Sequence, residues 1–581
     1  MSPSLEQLEI SAQFHPFISH LSEMARGKDR LPFIGREKEL EALLETLQRR
    51  LKKNIILVGR PGVGKTALVT ELADRINRGR VPANLKGKVI LELSLTSFLY
   101  SCESADALAK DFEKLIGEVR RHGGRIILFL DELHGQPLAM QAERAGRVLG
   151  LLKAHIAERE LQVIAAATSE DFHRHIKGDE VLAANFSAIL LNEPEKEEML
   201  NILRGVKRHF EDYYRLSIPE PLFECLYALA QRFIPLRAFP DKAIELLDIS
   251  CSKAALRKAR VLDCGHLHQT ISEFSRLPIE IVRRDGQEQA RGLLDFLRAA
   301  AVNQADALEE IARIVKLARL ETRVHSQRPE GIFLFLGPTG VGKSFVAAKL
   351  AEYLYGGADK LRVIDLAEYG KAGDAARLAA GDGGSGALAR EAENHPFSVI
   401  LFENIEEAHS AVLDWLGKTL AAGEVVDGAG KRHALSRIFF VLSLTGIGEA
   451  KKGSAIGFVK VDPRSGEVVI APKIMNVLDW VDEIIQFTPL TAEHLERIAA
   501  LEAQEIARDL RERHRCRLAF ADGVLPALAA EAERSGRYAH AVHEFLERAV
   551  RLPALDIVTK ADRDTRLRVV LEEKRVRVVE E

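Results

Sequence analysis

Two eight-residue stretches have the residue types and spacing of a phosphate-binding loop. The first reads Gly59-Arg60-Pro61-Gly62-Val63-Gly64-Lys65-Thr66, and the second Gly337-Pro338-Thr339-Gly340-Val341-Gly342-Lys343-Ser344. Glycines in such a loop let successive backbone N–H groups face phosphate oxygens, and the helix that follows adds positive potential. The lysine reaches the outer phosphates, and the Thr or Ser hydroxyl coordinates Mg²⁺. A lone match of this length carries little weight. Here each loop follows a short apolar run, at 55–58 and 332–336, and precedes a helix-like run, at 67–72 and 345–350. A strand-loop-helix frame met twice, about 280 residues apart, predicts two nucleoside triphosphate sites in a tandem repeat.

The elements around the loops supply acidic partners. The run 125–130 is an apolar strand that ends in Asp131-Glu132, which places carboxylates beside the first loop. A second strand, 161–166, ends at Ala167-Thr168. From about 192 to about 278 the apolar spacing turns helical, as in 196–203 and in 241–248, where Asp241 after Pro240 marks a helix start. A charged helical stretch, 279–331, leads to the second unit. There 362–366, 398–402 and 437–442 read as strands, a helical portion begins near Thr491, and 565–571 and 575–579 alternate as strands do. The Gly-rich run 379–386 reads as a flexible loop.

The bulk numbers narrow the function classes. A chain of 581 residues holds two to four domains, and a net charge of −3 with 29% charged residues gives no general basic bias toward nucleic acid. The runs Arg575-Val576-Arg577 and Arg511-Glu512-Arg513-His514-Arg515 read as solvated faces. No apolar stretch approaches a membrane span, and the N-terminus lacks signal-peptide regions. Five scattered cysteines point to a reducing cytoplasm. Cys251, Cys264, His266 and His268 invite a zinc reading, but their spacing fits no standard structural site, and ordinary core or surface roles are expected. No spacing proposes a nucleophilic triad, so intrinsic protease chemistry is not expected.

Taken together, the motifs resemble the Clp unfoldase branch of the AAA+ ATPases, of the two-ring ClpA and ClpC type, over nearly the whole chain. Phe33-Ile34-Gly35-Arg36-Glu37 resembles the box that opens the first module, and 128–134 its Walker B segment. The stretch 240–248 resembles the small-domain motif near the nucleotide, and 396–409 the second Walker B region. The resemblance implies an α/β fold of tandem AAA+ P-loop modules, each a parallel α/β domain followed by a small, mainly helical one. Expected boundaries are 1–30 for an N-terminal extension, 31–191 and 192–278 for the first large and small domains, 279–330 for a linker and the start of the second module, 331–490 for the second large domain and 491–581 for the C-terminal small domain. The family's N-terminal receptor domain and ClpB-type middle domain are read as missing. Implied cofactors are ATP and Mg²⁺. Implied partners are further copies in a hexamer, protein clients and the ClpP peptidase, with no role for nucleic acid or membrane.

Residue by residue, the resemblance assigns phosphate and Mg²⁺ contacts to Lys65 and Thr66, Mg²⁺ support to Asp131, activation of water to Glu132 and a γ-phosphate sensor to Thr168. The family's arginine fingers fall at Ala184 and Asn185, which carry no cation. Its substrate-gripping aromatic has no counterpart; Leu108 is the nearest apolar candidate. In the second module Ser344 and Glu403 take the Mg²⁺ positions, and Asn404 stands where the family has its catalytic glutamate. An amide accepts no proton at neutral pH, so it cannot be a general base. The sensor position falls at Thr445, the finger at Trp480 and the small-domain arginine at Arg537 or Tyr538. The Gly-rich run replaces the pore loop. Ile456-Gly457-Phe458 resembles the tripeptide that docks ClpA, ClpC and ClpX on ClpP. Three functions stay open on these residues: a remodelling chaperone or protease regulatory subunit with hydrolysis confined to the first module, a nucleotide-gated scaffold or adaptor, and a partner subunit in a mixed ring with an active Clp homologue.

Overall fold

The apolar runs that precede the phosphate loops become inner strands of two separate sheets. The computed structural model describes residues 5–27, 30–101, 104–131, 142–158, 160–235, 237–319, 328–381, 384–445, 459–461, 468–470, 477–559, 565–572 and 575–580. The chain divides into two compact units, Met1–Phe274 and Ser275–Glu581.

The first unit holds β1 (Ile18–Ser19), β2 (Asn54–Val58), β3 (Val89–Leu93), β4 (Ile126–Leu130), β5 (Val163–Ala167) and β6 (Phe186–Leu190), in the order β1-β3-β4-β5-β2-β6. All pairs are parallel except β1 with β3. Every residue of β2, β4 and β5 is buried. Helices cover both faces of a parallel sheet, so these strands are unbroken apolar runs rather than alternating ones. The loop-bearing β2 sits between β5 and β6, far from its sequence neighbour β3. At such a reversal of strand order, the crevice beyond the carboxyl ends of the strands is open to a ligand.

The second unit repeats this plan with β7 (Gly331–Gly337), β8 (Leu361–Asp365), β9 (Val399–Glu403), a hairpin of β10 (Glu424–Val426) and β11 (Arg432–Ala434), β12 (Phe439–Thr445), a pair β13 (Val459–Val461) and β14 (Val468–Ile470), and β15 (Glu483–Gln486). Its main sheet runs β15-β7-β12-β9-β8, the same permutation as β6-β2-β5-β4-β3. A three-stranded sheet follows, β16 (Cys516–Phe520), β17 (Thr565–Glu572) and β18 (Arg575–Glu580). Tandem AAA+ modules account for this architecture.

The helices used below are α1 (Lys65–Asn77), α2 (Lys196–Tyr214), α3 (Leu222–Phe233), α4 (Asp241–Leu256), α5 (Cys264–Ser275), α6 (Lys343–Tyr355), α7 (Ala492–His514) and α8 (Tyr538–Leu546). α2 shows why these segments are helical: Met199, Leu200, Ile202, Leu203, Val206 and Phe210 fall on its buried side, and Glu197 and Glu198 sit in its first turn. Among the described residues no helix is long and apolar enough to cross a membrane.

Two expectations need correction. The described part of the Gly-rich run is folded rather than flexible. Gly384 N donates to Ala380 O (3.0 Å), Gly386 N to Ala379 O (2.8 Å) and Gly428 N of the β10–β11 turn to Gly384 O (3.1 Å). The Ser385 hydroxyl donates to Asp427 (3.3 Å), which itself meets His433 at 3.0 Å. The glycines serve close packing: a Cβ on Gly386 would lie 2.4 Å from the Leu378 carbonyl carbon. Leu108, the candidate client contact, is wholly buried in the core cluster with Phe98, Phe112 and Leu115. It lies on the helix Ala105–Arg120, whose apolar face turns inward.

Candidate nucleotide sites

In the first loop Gly62 (φ +86°) and Gly64 (φ +96°) occupy left-handed backbone, and Gly59 passes so close to β6's exit that a Cβ would lie 2.5 Å from Leu191 O. Only glycine fits these positions without strain. Lys65 Nζ donates to Gly59 O (2.9 Å) and Arg60 O (3.1 Å), so the ammonium curls over the loop it follows. The Thr66 hydroxyl donates to Asp131 Oδ2 (2.8 Å), which brings together the two side chains expected to flank Mg²⁺. Glu132 lies outside the described residues. Thr168 begins where β5 ends, beside the loop, since Gly59 N donates to Ala167 O (3.1 Å). Its hydroxyl donates to Asp171 (2.7 Å) and accepts the Asp171 N–H (3.1 Å), capping a short helix. Ala184 and Asn185 end the helix Glu180–Asn185, and the Asn185 amide is spent on Val181 O (2.9 Å).

Three residues near this loop had no assigned role in the sequence reading. Arg36, buried and at φ +65°, donates to Val63 O (3.2 Å), to Asn192 O and to Glu39 (2.8 Å), bracing the loop from behind. Arg60 pairs with Glu193. Glu92, at the end of β3, has its carboxyl pushed up by burial and then by the Asp131 charge. Arg36 and Arg60 stand inside the quoted motifs at positions given no role, and Glu92 belongs to no motif, so periodicity could not single them out.

The second loop repeats the geometry. Gly340 (φ +82°) and Gly342 (φ +104°) are left-handed. Lys343 Nζ donates to Gly337 O (2.7 Å) and Pro338 O (2.9 Å). Burial pulls its ammonium down to about 8, with Glu406 and Glu403 acting against that shift. The Ser344 hydroxyl donates to Glu403 (2.6 Å), the counterpart of the Thr66–Asp131 pair. Asn404 stands in left-handed backbone (φ +54°), and its Nδ2 donates to Asp365 Oδ1 (2.9 Å), at the end of the neighbouring strand. Glu406 accepts the Thr445 N–H (3.2 Å), and burial raises its carboxyl. Its position three residues beyond Glu403 was legible, but no role was assigned to it. Trp480 is a core residue: a Cβ on Gly417 would lie 2.3 Å from its Nε1. The Arg537 guanidinium pairs with Glu544 (2.8 Å).

Each loop is also held by the helical part of its own unit. Ala238 N donates to Pro61 O (3.3 Å) and Asp241 N to Gly62 O (3.4 Å). Ala539 N donates to Gly340 O (3.0 Å), and a Cβ on Gly340 would lie 2.1 Å from Arg537 O. Beside the second loop a cavity of about 730 Å³ is lined by Val302, Gly342, Phe345, Ile498, Leu501 and His543, among others. Its walls mix these apolar side chains with Lys349, Glu502, Glu505 and Arg508. Both loops therefore fit a phosphate chain with Mg²⁺: left-handed glycines that leave the N–H groups free of side chains, a lysine on the loop, and a hydroxyl–carboxylate pair. Ile456, Gly457 and Phe458 lie outside the described residues.

Two five-strand parallel cores with a phosphate loop on the same strand and a helical clasp on each loop define a tandem P-loop ATPase of the AAA+ class. Family models agree along the chain: "AAA ATPase domain" matches 32–99, "AAA lid domain" 195–295 and "AAA domain (Cdc48 subfamily)" 328–467. The sequences it resembles over most of its length are proteins of the Clp/Hsp100 family. It is 28% identical over 569 residues to the negative regulator of genetic competence ClpC/MecB of Bacillus subtilis, spanning 85% of this chain and 70% of that protein. It is 29% identical over 554 residues to the ATP-dependent Clp protease ATP-binding subunit ClpE of Lactococcus lactis, spanning 84% and 73%. The structure of an S. cerevisiae Hsp104–ADP complex shares the fold with a TM-score of 0.73 at 24% identity, over 97% of this chain and 99% of that one.

Proposed function

We propose that this protein is a Clp/Hsp100 protein-remodelling chaperone or Clp-protease regulatory subunit whose first module binds and slowly hydrolyses ATP, while the second binds ATP and retains it. One contrast carries the reading: Thr66 faces Asp131, which Glu132 follows, whereas in the second module Asn404 follows Glu403 and is tied to Asp365. Lys65 and Lys343 hold phosphate charge, and Thr66 with Asp131, or Ser344 with Glu403, orients the metal. Mg²⁺, when bound, neutralises charge on the phosphate oxygens. Glu132 accepts the proton of the attacking water, a step that Asn404 has no lone pair of suitable basicity to perform. Slow turnover follows from Ala184 and Asn185, since an arginine at such a position contributes on the order of 10³–10⁵ in rate in other phosphoryl-transfer systems. Steady-state ATP turnover of the full chain beside Lys65→Ala and Lys343→Ala tests this. Turnover should vanish in the first variant and persist in the second; the reverse pattern refutes the assignment.

A second reading has an observation of its own. Both finger positions lack a cation: Asn185 binds its own helix and Trp480 is core. A scaffold, or a subunit of a mixed hexamer in which an active homologue supplies the arginines, explains that loss. Mixing with an active ClpC should then raise turnover above the sum of the parts. ClpP docking through Ile456-Gly457-Phe458 belongs to the first reading. Alanine at 456 and 458 should abolish a ClpP pull-down, and retained capture would remove that tripeptide as the contact.

A further inference from the structure

The zinc cluster weighed in the sequence does not assemble. Cys251 is wholly buried on α4, and the His266 ring lies 2.7 Å from Asp263 Oδ1. Among the described residues these side chains form no metal-binding group. Cys264 instead faces Cys225. A parallel bridge between Ser217 and Val261 sets the register of the segments that lead into α3 and α5: Ser217 N donates to Arg260 O (2.8 Å) and Leu262 N to Ser217 O (2.9 Å). Cys225 then lies one turn into α3, and Cys264 opens α5. Both thiols are free and half-buried, and they are hydrogen-bonded to each other. No catalytic or phosphate-binding role uses either of them.

We propose that Cys225 and Cys264 are a reversible redox pair that closes to a disulfide on exposure to hydrogen peroxide or an organic hydroperoxide. Burial and the neighbouring sulfur push the Cys225 thiol up to about 12, so it stays protonated until its partner has reacted. Cys264, whose partner is held protonated, attacks first. Its sulfur bonds to the distal peroxide oxygen, the O–O bond breaks, and water (or an alcohol) leaves with the thiol proton, giving a sulfenic acid. The Cys225 sulfur then attacks the Cys264 sulfur, the S–O bond breaks, and the departing hydroxide takes the Cys225 proton as a second water. Two thiols lose two electrons in all, and the peroxide gains them.

The bond would fasten α3 to α5. The end of α3 runs into the segment that clasps the first loop, where Arg60 reaches Pro235 O (3.3 Å) and Ala238 N reaches Pro61 O (3.3 Å). Oxidation would thereby stiffen the support of the first phosphate loop and leave the second unchanged.

The test uses the full chain, reduced, then treated with hydrogen peroxide and digested without reductant. Expected are the loss of two of the five thiols, a linked Cys225–Cys264 peptide, and full recovery with dithiothreitol. Cys225→Ser should retain a Cys264 sulfenic acid that dimedone traps. A bond to Cys251, Cys102 or Cys516, a bond between chains, or five thiols surviving peroxide would each overturn the proposal. The mapping on unsubstituted protein makes the answer independent of how the variants fold.

Discussion

Replacing Gly340 by alanine tests whether the backbone clasp shapes the second nucleotide site. Its φ of +82° costs an L-residue about 1–2 kcal/mol. The new Cβ would stand 2.1 Å from Arg537 O, so the clasp must open and the Ala539 N–H to Gly340 O bond (3.0 Å) is lost. A hydrogen bond of that kind contributes about 1 kcal/mol. The total, about 2–3 kcal/mol, falls on the conformation that receives phosphate, and at 1.4 kcal/mol per factor of ten it weakens nucleotide binding by roughly 30- to 150-fold. Titrating a fluorescent ATP analogue into chains that also carry Lys65→Ala reads the second site alone. Gly536→Ala is the control: its φ is +67°, but its Cβ would meet nothing within 4 Å, so it bears the backbone strain without touching the loop. Binding by Gly340→Ala within twofold of its parent would refute the clasp as the element that shapes the loop.

Other outcomes follow from the same geometry. Because the folded Lys343 ammonium is held down to about 8, its charge is present below that pH and lost above it. ATP affinity of the second module should therefore fall as pH rises through 8, with proton uptake on binding at about pH 9; calorimetry in two buffers of different ionisation enthalpy reads this, and a flat profile from pH 7 to about 9 would contradict it. Leu108→Ala should lower stability by about 2–5 kcal/mol in denaturant melts, as a core deletion does, rather than change client binding in a stable protein. Asp427→Ala removes the acceptor of Ala429 N (2.9 Å), Lys431 N (2.8 Å) and the Ser385 hydroxyl, so amide exchange at 384–386 and in the hairpin should rise together; exchange confined to the hairpin would show that the two segments are not coupled.

The inner strands were legible because burial on both faces writes them as unbroken apolar runs: the expected 125–130 and 398–402 are β4 and β9 within a residue or so. The hydroxyl–carboxylate pairs were legible too, because an acid at the end of such a strand must emerge near the loop. β1, two residues long, and the hairpin of β10 and β11, three residues each, are too short to leave a period. Leu108 misled because a motif position was read before the helix around it: Leu108, Phe112 and Leu115 recur at three-to-four spacing, the signature of a buried face. The Gly-rich run misled for a different reason. Glycine permits both disorder and close approach, and only the hairpin docked against it decides between them.

The clasp on each phosphate loop is made largely from peptide groups: Ala539 N to Gly340 O in one unit, Ala238 N to Pro61 O and Asp241 N to Gly62 O in the other. The loop side of the clasp needs its glycines, but on the helical side the bonding groups are main-chain ones, indifferent to what hangs from the α-carbon. Substitution can therefore run through positions such as 537 and 538, stripping a module of its chemistry while the receptacle keeps its shape. Under such drift the ability to grip a nucleotide outlasts the ability to cleave it.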